Sequence, residues 1–271
     1  MIDIRQSPEY AHYLSQIGWT VKRINGINYF IKRLPLIGSI LKIQRPKHLD
    51  TQIAWRLGKK YTAFQIIIEP TTECLRLTDH DYKLSKSPFL PTRTLQLDLT
   101  LSRQKLLKNL KKDARLAIRR TTNYELRIMK NVQQFRETWK KAVGLKRYIP
   151  PLPHLIALKK SFGNNCLFLT AGDQAGAIFL KSDEVAYYWQ AFTSKKGRKL
   201  QLQYKIVWQG ILWAKKKGAK IFDFEGIFDP RFPNKSWLGF THFKKSFGGK
   251  EVNFPGCYTK LCLDNIFPRF R

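Results

Sequence analysis

The sequence predicts an α/β protein of two related halves with mixed central sheets, joined through a basic helical segment. Amphipathic helical patterns alternate with short strand-like runs along the whole chain. Asn25-Gly26 between two alternating apolar runs signals an antiparallel hairpin. The Ile66-Ile67-Ile68 run instead has the pattern of a strand buried on both faces in parallel pairing. The expected division is 1–101 for the first half, 102–122 for the connecting helix and 123–271 for the second half.

Residues 7–17 read as a first helix, with Ser7 as N-cap, Pro8 at the first position and Gly18 as its stop. Strands are expected over 19–24, 28–34 and 39–45, a helix over 49–60 and a buried strand over 64–70. Residues 71–86 are polar and irregular; their Asp79-His80-Asp81 reads as a solvated cluster rather than a ligand set. Residues 92–100 alternate at period two and are expected as the strand that closes the first half.

From 102 to 120 a single helix is expected, with Leu106, Leu107, Leu110, Ala114, Ala117 and Ile118 on one face. Lys108, Lys112, Arg115 and Arg119 fall on the other, where like charges four apart disfavour the helix unless a polyanion neutralises them. Beyond it come a strand (125–130), helices over 132–143 and 154–162, and strands over 166–173, 174–182 and 184–193. A turn at 194–199 leads into a long helix whose stripe is Leu200, Tyr204, Val207, Trp208 and Ile211. Lys215 to Lys217 sit in its last turn, where the helix dipole favours cations, and Gly218 ends it. One final strand is expected within 251–264, followed by a basic, aromatic tail.

Composition bounds the function. The chain has 50 Lys and Arg against 19 Asp and Glu, a net charge of +31, with 18 Phe, 11 Tyr and 7 Trp. So many aromatics fit a packed core rather than a disordered basic tail. The charge points to a polyanionic partner: nucleic acid, an anionic membrane surface or a phosphorylated substrate. Four cysteines without C-x-x-C or histidine spacing argue against a metal site and for a reducing cytoplasm. The opening MIDIRQSPEY lacks the pattern of a signal peptide, and no run approaches the roughly 20 apolar residues of a membrane span. The expected location is the cytoplasm, at most peripheral to the inner face of the membrane.

The stretch 219–249, AKIFDFEGIFDPRFPNKSWLGFTHFKKSFGG, carries the chemistry. It reads as strand, loop and short helix. Period-two alternation would put Asp223 and Glu225 on one face of the strand, about 7 Å apart. Phe240, Phe243 and Phe247 would share a helix face, with Gly248-Gly249 ending the helix in left-handed conformation. Two carboxylates and the Lys244-Lys245 pair would then meet near one strand end.

FDFEGI followed by GFTHFKKSFGG resembles the C-terminal signature of the Fem-type (FemABX) aminoacyltransferases. The opening is similar too, in Gln6, Ser7 and Tyr10 (where the family usually has Trp) and in Arg45-Pro46. So is the helix ending in Arg115, Ile118, Arg119 and Arg120. The resemblance implies two tandem acetyltransferase-like (GNAT) halves. It also implies transfer of an amino acid from aminoacyl-tRNA to the amine of a peptidoglycan precursor stem peptide, forming an interpeptide bridge. It puts Lys244, preceded by Phe243, at the reacting centre, with Asp223 and Glu225 as helpers. Lys22, Lys32, Arg33, Arg198, Lys199 and Tyr204 are the substrate-binding candidates, and Lys108, Lys112, Arg115, Arg119 and Arg120 the tRNA-binding ones. His242 reads as structural. No metal or cofactor is implied, and the expected partners are aminoacyl-tRNA and a lipid-linked or UDP-linked precursor, met by a monomer.

Two other classes stay open at this point. One is an acyl-CoA-dependent N-acyltransferase on the same fold. Against it, 194–199 holds one glycine where backbone amides would need room to approach a pyrophosphate. The other is a non-catalytic basic module for RNA or membrane.

Overall fold

The structure, a computed structural model, describes residues 1–72, 77, 80–144 and 147–262. Cys74, Asp79 and the expected C-terminal tail lie outside the described residues. The chain divides into two compact units. The first is built from Ile2–Arg93, Asp229–Pro233 and the segment from Asn253 onward, the second from Thr94–Phe228 and Asn234–Val252.

In the first unit α1 (Pro8–Gln16) starts as expected, its N-cap Ser7 accepting from Tyr10 N. β1 (Thr20–Ile24) and β2 (Ile27–Leu34) form the hairpin. Asn25 and Gly26 both take positive φ, 50° and 77°, which a type I′ turn requires. β3 (Gly38–Gln44) runs antiparallel to β2, α2 (Thr51–Lys60) crosses over from its N-cap Asp50, and β4 (Ala63–Glu69) pairs with β3 in parallel. β5 (Lys83–Leu84) is short.

The motif residues at the chain's start are structural here. Gln6 donates to Gln44 O (2.5 Å) and accepts from Asn28 N (2.8 Å), so one buried side chain ties β3 to β2. Arg45 is buried, donating to Pro70 O and Pro91 O while its guanidinium stacks 3.7 Å from the Phe254 ring centroid.

The second unit runs β6 (Arg93–Asp98), α3 (Arg103–Asn109), α4 (Lys112–Arg120), β7 (Leu126–Ile128), α5 (Val132–Val143), α6 (Leu152–Phe162), β8 (Cys166–Ala171), β9 (Ala175–Ser182) and β10 (Val185–Thr193). It continues with α7 (Lys195–Lys199), α8 (Leu202–Lys216), β11 (Ile221–Asp223), α9 (Leu238–Lys245) and β12 (Lys250–Asn253). The last strand, β13 (Tyr258–Leu261), lies in the first unit.

The sheet orders are β1-β2-β3-β4-β13-β5 and β12-β6-β11-β10-β9-β8-β7. Both share one plan: an antiparallel hairpin, a helical crossover, a parallel strand and then an antiparallel neighbour. That last place is filled reciprocally. β13 from the chain's end lies beside β4, and β6 from its first hundred residues lies beside β11.

Four expectations change. The strand over 92–100 does not close the first sheet. It pairs with β11, Leu97 opposite Phe222 and Gln96 opposite Asp223, and its buried Leu95 and Leu97 join the core around Phe179, Phe222, Phe224 and Phe247. The units therefore do not follow the expected division at 101 and 122.

The helix over 102–120 is two helices. Leu110 and Lys111 are extended (ψ 142° and 161°), and Lys111 N donates to Ser246 O at 2.8 Å instead of to its own helix. Leu107 is exposed as a result, and Lys108 and Lys112 do not form one stripe with Arg115 and Arg119.

The final strand is likewise two strands, β12 and β13, parted at Phe254-Pro255-Gly256, where proline has no N–H for a ladder. The strand over 219–227 ends at Asp223, for a reason that belongs to the site.

Candidate active site

β10 and β11 pair only from Val185–Tyr187 to Ile221–Asp223. β10 runs on to Thr193 without that neighbour, and between Tyr188 and Gln190 its register with β9 slips, leaving Trp189 as the extra residue of a bulge. β11 stops because Asp223 folds the chain onto itself: its Oδ1 accepts from Glu225 N at 2.7 Å. Glu225 takes φ +52° and Gly226 φ +104°. Asp223 and Glu225 therefore do not share a strand face, as alternation predicts. The left-handed turn brings the carbonyls of Phe224 and Gly226 together, and Lys244 Nζ donates to both, at 2.7 and 2.5 Å.

Lys244 reaches that turn from α9. Asn234 starts the 3₁₀ turn Lys235–Trp237 before it by accepting from Ser236 N. Behind the lysine, Phe247 is buried and packs against Phe224 (5.6 Å), Phe243 (5.4 Å) and Tyr204 (5.8 Å). Phe240 is partly exposed, so the three phenylalanines do not form one buried face. Phe240 instead turns its ring to the ammonium at 5.0 Å, with Tyr188 at 5.8 Å.

A cavity of about 640 Å³ opens where β10 loses β11. Lys244, Phe243, Glu225, Tyr204 and Arg198, all named from the sequence, line it. Tyr188, Gln203, Phe240 and Arg147 line it as well and were not anticipated. Gln203 donates to Tyr188 Oη (2.8 Å) and accepts from Thr193 Oγ1 (2.9 Å), fixing the start of α8 to the free part of β10. The alternation of EVAYYWQAFT marks a strand and nothing in it marks a bulge, so only pairing reveals which face Tyr188 takes.

Burial sets the electrostatics. Lys244 is buried and uses two of its three N–H donors on carbonyls; desolvation pulls its pKa down to about 8, against the charges of Glu225 and then Asp223. Asp223 lies beneath the cavity rather than on it. Thr94 Oγ1 (2.6 Å) and Gln96 Nε2 (2.8 Å) both donate to its carboxylate. Burial, and next the charge of Glu225, raise its pKa to about 6 despite those bonds. Burial also raises Tyr188, against its bond from Gln203, and raises Tyr204.

The shift at Asp223 makes a prediction. A carboxyl with pKa 3.8 when unfolded and about 6 when folded stabilises the fold below pH 3.8, and that contribution is lost as pH rises to about 6. The swing is of order 2–3 kcal/mol. Urea unfolding at pH 4, 5, 6 and 7 should show it, and Asp223→Asn should flatten the slope. An unchanged slope in the variant refutes the assignment.

The other named residues disperse. In the first unit Lys32 donates to Gly18 O (2.9 Å) and Ile17 O (3.4 Å), closing the end of α1, and Lys22 and Arg33 are exposed. Lys199 is exposed and does not line the cavity. Residues 195–199 form a short helix rather than an open loop: Ser194 Oγ takes Gly197 N at 2.9 Å, and a Cβ on Gly197 would lie 2.4 Å from Gln174 O. On α3 and α4, Lys108, Lys112, Arg119 and Arg120 are exposed, and half-buried Arg115 donates to Lys108 O. His242 is exposed, 3.8 Å from Asp113.

Among the described residues no group of three His, Cys, Asp or Glu is placed to hold a metal ion. No described helix is long and apolar enough to cross a membrane. Among the described residues Cys166, Cys257 and Cys262 form no disulfide.

Residues 167–262, which include the crossover, the turn at Glu225 and Lys244, match the model of the FemAB family. Among solved structures the chain is similar to FemX, with TM-score 0.79 and 14% identity over 98% of this chain and 94% of that one. It is also similar to the C-terminal domain of a putative lysylphosphatidylglycerol synthetase from Agrobacterium fabrum (TM-score 0.64, 13% identity, 98% and 92% covered). A tandem GNAT protein from the clavulanic acid biosynthesis pathway matches with TM-score 0.54 and 8% identity over 90% and 83%. At these identities the likeness is one of fold. No curated protein matches the chain.

Proposed function

We propose that this chain, whose residues 167–262 match the FemAB family model and whose fold is similar to FemX, transfers an amino acid from aminoacyl-tRNA to the amine of a peptidoglycan precursor stem peptide. The observation that carries the proposal is a buried ammonium, Lys244, held by two carbonyls in a cavity lined by aromatic rings and two arginines. The ester of aminoacyl-tRNA is already reactive, so the site has to position the amine and stabilise the oxyanion. The amine nitrogen bonds to the ester carbonyl carbon, the bond to the 3′-oxygen breaks, and the amine's proton ends on that oxygen.

Lys244, with one N–H left over, supplies a fixed positive charge to the oxyanion or the leaving oxygen. Glu225, on the cavity wall, is the carboxylate positioned to take the amine's proton. Asp223, sealed by Thr94 and Gln96, holds the turn and does not touch substrate. Arg147 and Arg198 also line an adjoining cavity of about 370 Å³ with Lys195, a run of cations suited to the phosphates of the acceptor end. Tyr204 and Phe240 offer rings for its unpaired bases.

The test is which donor is consumed. Labelled aminoacyl-tRNA should lose its amino acid to a precursor with a free stem-peptide amine, while labelled acetyl-CoA should not react. Turnover of acetyl-CoA alone would make this an acyl-CoA N-acyltransferase, and RNA binding without turnover of either would make it a binding module. The basic helices yield a second expectation. Arg119→Ala/Arg120→Ala should weaken tRNA binding and lower the slope of log affinity against log salt by about one per lost phosphate contact. A slope equal to that of the wild type would remove α4 from the tRNA path.

A further inference from the structure

The hairpin between β2 and β3 ends in an apolar tip that the fold does not use. Arg33 pairs with Ser39 and Leu34 with Gly38, leaving Pro35-Leu36-Ile37 as the turn. Leu36 is fully exposed, at 102% of its reference area, and Ile37 is half exposed. Leu36 also takes φ +69°, a left-handed conformation that Gly, Asn or Asp adopts readily and a bulky residue adopts only with strain. A side chain that strains its backbone and buries nothing within its own chain contributes nothing to folding there.

The charged side chains that the register and the end of α2 bring to the tip are cationic. Ser39 N donates to Thr62 O (3.0 Å) and Ser39 Oγ to Tyr61 O (2.7 Å), which brings the end of α2, with exposed Lys59 and Lys60, alongside the turn. Residues 18–43 and 51–68 hold eight Lys and Arg and no Asp or Glu.

We propose that this tip docks the protein on an anionic lipid bilayer, with Leu36 and Ile37 entering the acyl region and Arg33, Lys59 and Lys60 resting on the headgroup phosphates. Two side chains are far too little apolar surface for a stable protein interface, which needs about 800 Å² from each partner. An RNA backbone offers phosphate but no hydrocarbon to receive a leucine. A bilayer with anionic headgroups offers both, in the order in which the tip and its rim present them. The inference stands apart from the transferase reading, because vesicle binding needs no turnover.

Co-sedimentation of the full chain with phosphatidylcholine vesicles, with and without phosphatidylglycerol, tests it. The wild type should bind the anionic vesicles and spare the neutral ones. Leu36→Asn/Ile37→Ser should weaken that binding at least about tenfold, from the lost transfer of two aliphatic side chains. Its affinity for polyuridylate should not change, and its melting midpoint should hold, since Asn accepts the positive φ. Arg33→Gln/Lys59→Gln/Lys60→Gln should weaken binding about fivefold per charge and reduce its dependence on phosphatidylglycerol.

Leu36→Trp keeps an apolar tip and should bind at least as tightly as the wild type. If the double variant fails to fold, this one decides, and weaker binding by folded Leu36→Trp overturns the proposal. It is overturned equally if the double variant binds vesicles like the wild type, if it loses polyuridylate to the same extent, or if the wild type ignores anionic vesicles.

Discussion

Lys244→Met should lower transfer from aminoacyl-tRNA by at least about a hundredfold while tRNA affinity stays within about twofold. A fixed charge aimed at a developing oxyanion is worth about 10²–10³ in turnover, whereas one buried side chain adds little to binding a polyanion gripped elsewhere by exposed cations. Single-turnover kinetics and filter binding separate the two effects, and a melting curve shows that Phe224 O and Gly226 O tolerate the loss of their donor. Full turnover in a folded Lys244→Met chain would remove this lysine from the chemistry. The wild type adds a check through pH. With its pKa pulled down to about 8 by burial, Lys244 carries its charge below that value and loses it above. Once the acceptor amine is saturating and reactive, turnover should decline as pH rises through about 8, and residual activity in the Met variant should lack that limb.

Gly249→Ala should be a damaging conservative change outside the cavity. Gly249 has φ +98°, and a Cβ there would lie 2.6 Å from Gln96 O and 2.6 Å from Leu97 Cδ2. The conformational strain alone is worth about 1–3 kcal/mol. The oxygen belongs to β6, which is paired with β11 and cannot retreat without pulling Gln96 from Asp223. Together these should cost about 3 kcal/mol, lowering the melting midpoint of a unit this size by about 5–10 °C. Activity should fall further than the unfolded fraction explains, because Gly249 follows directly on the segment that carries Lys244. A variant that melts within about 1 °C of the wild type would mean that the backbone yields there.

Where local chemistry decides an element, the sequence announces it. Ser7-Pro8, Asn25-Gly26, Asp50 and Gly218 start or stop elements within a residue or so of the expected places, because caps and turns satisfy backbone groups only a few residues away. The break at Leu110-Lys111 carries no such mark. It exists because Ser246 O, far along the chain, takes the N–H of Lys111. The same holds at the cavity. Lys244, Phe243, Glu225, Tyr204 and Arg198 were legible through their motif and spacing, while Tyr188, Gln203 and Phe240 became visible only once β10 had bulged and parted from β11.

By itself, then, the amino-acid order determined the α/β class, the repeated hairpin, crossover and parallel strand, the basic charge and the lysine that the cavity encloses. The class, the repeat and the charge follow from periodicity, turn residues and composition, which act over a few neighbours. The lysine follows from the motif that resembles the Fem-type signature. Tertiary structure decided which sheet β6 and β13 complete, that Asp223 supports the turn while Glu225 faces the cavity, and that Lys244 is buried between two carbonyls. Those outcomes depend on hydrogen bonds and packing between separate segments, and no local pattern encodes them. They range from Lys244 on the carbonyls of Phe224 and Gly226, 20 and 18 residues away, to Thr94 and Gln96 on Asp223, 129 and 127 residues away.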